Sequence, residues 1–119
     1  MNATKFSMTR DVAGMNGFGI PFTLTARSAI LAANVEQNFT VPSNYPNWIA
    51  IFSYSPGVAV WVDGIGTAVV PVGAFSATTS ELNPAARYVK AGDVLSFITS
   101  DITGPGVSVM LYVVPPFGN

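Results

Sequence analysis

Residues 48–72, WIAIFSYSPGVAVWVDGIGTAVVPV, limit the folds open to this chain more than any other stretch. Alternating runs are cut by turn signals before a helical period can build up. Ile49, Ile51 and Ser53 alternate with Trp48, Ala50, Phe52 and Tyr54, so both sides of the first run are largely apolar, as in a strand covered on both faces. Ser55-Pro56-Gly57 ends that run. In the next, Val58, Val60 and Val62 share one side, with Ala59 and Trp61 on the other. Asp63-Gly64 then reads as a type I′ hairpin turn, because that turn needs positive φ at both central positions. A hairpin over 58–69 is expected.

The rest of the chain repeats this pattern. Residues 1–21, with Gly14, Gly17 and Gly19 and little periodicity, read as an N-terminal extended arm around a short strand near 6–9. Phe22, Leu24 and Ala26 share one face of a strand that bends by 33. Residues 34–41 alternate up to Pro42, and 43–47 form a Pro/Asn turn. Residues 73–86 are the longest irregular segment. A short strand at 87–89 and a turn at 90–93 precede a strand over 94–99, apolar on both sides. The turn at 104–106 leads into the last strand, 107–114, which Pro115-Pro116 ends because proline donates nothing to a ladder. Roughly eight short strands at hairpin spacing and no helix predict an all-β fold, an antiparallel jelly-roll-like β-sandwich forming one domain over 22–119. An immunoglobulin-like sandwich is the nearest rival, and spacing alone gives no strand order.

Only 9% of the residues are charged, against roughly 25% in ordinary soluble domains. Ser, Thr, Asn and Gly fill the polar positions instead. Part of the outer surface is therefore expected to lie under another protein, the alternative being a monomer kept soluble by its hydroxyl groups. Lys5, Arg10, Arg27, Arg87 and Lys90 are scattered and the net charge is −1, which argues against a nucleic-acid partner. Residues 37–62 carry no charge, but Pro42, Pro46 and Pro56 interrupt them, which argues against a membrane span.

The chain has no cysteine and no histidine. Disulfides, Cys or His metal sites, His-based triads and Cys nucleophiles are excluded together. Serine has no G-x-S-x-G elbow or S-x-x-K partner. Gly17-Phe18-Gly19 and Gly64-Ile65-Gly66 are fragments of a dinucleotide fingerprint without its third glycine or helix. Asp63, Asp93 and Asp101 sit at turns, where Asp is favoured for local backbone hydrogen bonds. Their loops could also meet around calcium, although no D-x-D-x-D-G spacing accompanies them. The expectation is a non-enzymatic chain without a cofactor. Tyr45, Trp48, Tyr54, Trp61 and Tyr112 could form a sugar-stacking platform or pack in a core or subunit interface. The interface candidates are Trp61, Trp48, Tyr54, Phe18 and Tyr112, with Trp61 foremost because it points away from Val60 and Val62.

AVWVDGIGTAVVPVG, a Ser/Thr-rich loop and NPAARYVKAGDVLSFITSDITGPGVSVMLYVV, together about half of the chain, resemble the small jelly-roll cement or decoration proteins of tailed bacteriophage virions. The resemblance implies a capsid-surface subunit that binds the major capsid protein and associates with itself, as a trimer rather than a dimer. It carries no catalytic motif. A carbohydrate-binding or receptor-binding jelly roll of a tail or fibre is the alternative.

Overall fold

The structure, a computed structural model, describes residues 3–4, 9–10, 16–17, 22–73 and 75–114. The strands are β1 (Thr9–Arg10), β2 (Asn16–Gly17), β3 (Ala26–Ile30), β4 (Gln37–Thr40), β5 (Asn47–Tyr54), β6 (Val60–Asp63), β7 (Glu81–Leu82), β8 (Ala86–Lys90), β9 (Val94–Thr99) and β10 (Gly106–Val113). No helix occurs among the described residues. β1 and β2 pair with each other; the remaining eight strands form two antiparallel four-stranded sheets, β3-β10-β5-β8 and β4-β9-β6-β7. This is the jelly-roll order: β3 pairs β10, β4 pairs β9, β5 pairs β8 and β6 pairs β7, as if one long hairpin had been rolled up.

The core follows from the two-residue period of each strand. Trp48, Ala50 and Phe52 of β5 and Val107, Val109, Leu111 and Val113 of β10 face Val60 and Val62 of β6 and Leu95 and Phe97 of β9. Phe52 and Phe97 meet edge to face across the two sheets, their centroids 5.9 Å apart. Trp48 is 0% exposed, and its indole N–H donates to the Tyr45 carbonyl at 3.0 Å, so the largest core side chain keeps no unpaired polar atom. Each buried Val, Leu or Phe among these contributes about 1.5–3 kcal/mol.

Two expectations about local structure are corrected. There is no hairpin over 58–69. Gly64 is absent from the glycines with positive φ, so the 63–64 turn is not type I′, and β6 pairs with β7 and β9 instead. After Asp63 the chain is no longer a strand; Ile65 makes a single bridge to Val94. The buried Asp63 carboxylate captures this segment, with Oδ1 accepting the Ile65 N–H and Oδ2 the Thr79 hydroxyl. The 22–33 strand begins at Ala26, and the face shared by Phe22, Leu24 and Ala26 is not a core face: Phe22 and Leu24 are exposed, while Leu31 enters the core and Ala29 packs against it. Register explains this, since Ala26 lies opposite Met110, on the side of β10 away from its core residues.

Most of the expected arm lies outside the described residues. Within it, the β1–β2 ladder is present, Ala3 packs on the core, and the Thr4 carbonyl accepts the Val113 N–H at 2.7 Å.

Candidate interaction surfaces

The outward side of β4-β9-β6-β7 carries Trp61. Its register neighbours are Leu82 on β7 and Ile98 on β9, which makes a cross-strand row of three apolar side chains. Leu82 is 52% exposed, and Trp61 and Ile98 are half-buried. The same side is partly roofed by residues 64–80. The Ser96 hydroxyl, on the outward side of β9, accepts the Ala68 N–H at 2.9 Å, and the Ser80 hydroxyl accepts the Val69 N–H at 3.0 Å. Ser96 is fully buried as a result. The roof itself presents apolar groups to solvent, with Val69, Val72 and Phe75 all exposed. Phe75 holds φ at 57°, a region that non-glycine residues seldom occupy.

The outward side of β3-β10-β5-β8 is also nearly free of charge. One register row runs Tyr88, Ile49, Tyr112, and the next Ala86, Ile51, Met110, Ala26. Tyr88 is 69% exposed; Ile49, Ile51 and Met110 are half-buried. The following row is Ser53, Ser108, Ser28, the floor of an open hollow of about 500 Å³ that Tyr54, Ser55 and Ile30 also line. Lys90, at the end of β8 opposite Asn47, is the charged residue at the margin of this sheet face.

The charges of the described residues sit at strand edges and loops. Arg87 on β8 pairs with Glu81 on β7, joining the two sheets along one side. The Arg87 guanidinium holds the Glu81 carboxyl below the usual carboxylate range, and the Arg87 pKa is raised in return. Nearby, the Tyr54 hydroxyl donates to the Pro84 carbonyl at 2.6 Å, and burial pushes the phenol above its ordinary range. Asp93 accepts the Lys90 N–H at 2.9 Å. Asp101 accepts both the N–H and the hydroxyl of Thr103, which lowers its pKa. Asp63, Asp93 and Asp101 thus each serve their own turn, and among the described residues no group of three or more acidic side chains could hold a metal ion.

The four interface candidates among the described residues are not brought together. Trp61 lies outward, as expected. Trp48 is a correction: its period places it between the sheets, where the chain itself covers it completely. Tyr112 points to the outward side of β10 but is only 4% exposed, so it too offers almost no surface. Tyr54 is half-buried against the core, tied down by its hydroxyl. Phe18 lies outside the described residues. Trp61 and Tyr112 belong to opposite sheets, so the aromatic platform expected of a sugar site is not formed. Sequence reasoning missed the outward Ile49, Ile51 and Met110, although the two-faced alternation of 48–54 and 107–114 was their signal. It also missed the serine row, which only register assembles.

No protein-family model, curated protein or solved structure matches this chain.

Proposed function

We propose that this chain is a non-enzymatic structural protein of a virion, a cement or decoration subunit that sits on the capsid surface of a tailed bacteriophage. It stabilises the head by binding the major capsid protein and copies of itself. The observation that carries this reading is the apolar, almost uncharged outward side of each sheet. A solvated antiparallel sheet ordinarily alternates apolar inside with polar outside, yet here Leu82, Trp61 and Ile98 on one sheet and Tyr88, Ile49, Ile51 and Met110 on the other face outward. Such surface suits burial against protein neighbours. Repetition over symmetry-related sites then builds avidity from contacts that are weak singly.

Electron microscopy of purified particles carrying the labelled protein tests the reading, together with mass measurement of the isolated chain at low concentration. The expected result is density on the capsid exterior and a homo-oligomer in solution. A stable monomer without affinity for capsids would overturn it.

The serine-floored hollow beside Tyr54 favours a second reading, a carbohydrate-binding module of a tail or fibre, because neutral hydroxyl donors and acceptors suit a saccharide. A glycan array without any binding would remove it.

A further inference from the structure

On the side of the sandwich away from the Arg87–Glu81 pair, β3 and β4 are the edge strands of the two sheets. Between them lies a cleft of about 140 Å³. Buried Phe97, Val107 and Val109 form its floor, and Ala29 and Phe39 its walls. An apolar cavity of roughly 150 Å³ is enough to take up benzene, so the cleft has room for one aromatic or branched apolar side chain. Arg27 is the one charged residue lining it. Its guanidinium lies 5.7 Å from the centroid of the Phe39 ring, and Nη1 donates to the Ala26 carbonyl at 2.9 Å. Among the described residues the ion pair is Arg87–Glu81, and no carboxylate reaches Arg27.

An apolar slot beside a cation that no carboxylate of the described residues compensates specifies an occupant with an apolar body and an anion nearby. The flanking edges specify its backbone: among the described residues β3 and β4 each have a strand on one side only, so an extended segment can add to either edge and drop alternate side chains inward. We propose that the cleft between β3 and β4 is a docking site for an extended segment of another polypeptide, which seats one aromatic or branched apolar side chain between the sheets and sets a carboxylate two residues along, on the same face, against Arg27. The charge complementarity selects an acidic segment over a basic or neutral one. The site does not depend on the capsid reading and would stand if that reading failed.

The test is a titration of the ¹⁵N-labelled full chain with acetyl-Thr-Phe-Thr-Asp-amide, whose Phe and Asp share one face when extended, and with its lysine counterpart, acetyl-Thr-Phe-Thr-Lys-amide, followed by amide shifts. Saturable shifts at Ala29, Phe39, Phe97 and Val107 are expected, with the acidic peptide bound about tenfold more tightly. Arg27→Gln, an exposed substitution that leaves the core intact, should bring the two affinities together. Ala29→Leu should fill the slot and abolish binding of both. Absence of shifts at millimolar peptide, shifts elsewhere, or discrimination that survives Arg27→Gln would each overturn the proposal. So would cleft shifts that depend on protein concentration without peptide, which would make a second copy the occupant, or phenylacetate binding as tightly as the acidic peptide, which would make this a small-molecule site.

Discussion

The hydroxyl of Ser96 accepts the backbone N–H of Ala68 at 2.9 Å on the outward side of β9, and this contact lays residues 64–80 over a sheet face. A small polar residue in the middle of an apolar strand would ordinarily mark a solvated face. Here it marks the attachment of a roof. Replacing Ser96 with alanine leaves the Ala68 N–H buried and unpaired, which costs about 1–3 kcal/mol. Chemical denaturation should show that loss, and hydrogen exchange should show it concentrated at 65–80, with the β5 and β10 amides still protected.

Asn83 holds the start of β6. At φ 44° it occupies the left-handed region that asparagine tolerates, its side-chain oxygen accepts the Val60 N–H at 2.6 Å, and its amide donates to the Val58 carbonyl at 2.8 Å. Asn83→Ala removes both bonds and puts a less tolerant residue at positive φ. The expected destabilisation is about 1–3 kcal/mol, read from the denaturation midpoint.

On the proposed function, substitutions at Trp48 and Trp61 should separate stability from association. Trp48→Ala should cost about 3–5 kcal/mol of folding stability, because it empties a site with 0% exposure. Trp61→Ala should cost about 1–2 kcal/mol of stability, since the ring is half-buried, and weaken self-association or capsid binding by more than about tenfold. Sedimentation and thermal melts on both variants check this. If Trp61→Ala moves only the melting temperature, Trp61 is packing and not interface.

The Glu81–Arg87 pair gives a small acid dependence. Because the folded-state pKa of Glu81 is lowered, its contribution is present above the ordinary carboxylate value and fades as pH falls through the depressed one. Both side chains are about half exposed, so the pair is worth less than about 1 kcal/mol. Tyr54 acts at the other end: its raised pKa keeps its contribution intact below about pH 10 and loses it as pH rises further. Glu81→Gln should flatten the acid limb of stability against pH, and Tyr54→Phe the alkaline limb.

Parts of the fold were legible residue by residue. The expected strand at 94–99 coincides with β9, and those at 48–54 and 107–114 match β5 and β10 to within one residue, because alternation and the bounding Pro, Gly and Asp residues act over a few positions. The second strand of the expected 58–69 hairpin failed although Ile65 and Val69 are β-branched and apolar. Its competitor was the Asp63 carboxylate, whose bonds to Ile65 and Thr79 depend on a residue 16 positions away.

The sequence by itself therefore determined that the chain is all-β, that it has about eight short sandwich strands, and that several of them are apolar on both sides. Period-two alternation and turn chemistry are local, so they survive without knowledge of any partner. Only the tertiary structure decided which side of each strand is shared with the core. Pairing β10 between β3 and β5 sends Trp48 inward and leaves Ile49 and Ile51 outward, while pairing β6 between β9 and β7 turns Trp61 to the outside beside Leu82. The choice of partner is a long-range matter of register, and alternation marks two sides without saying which one is buried.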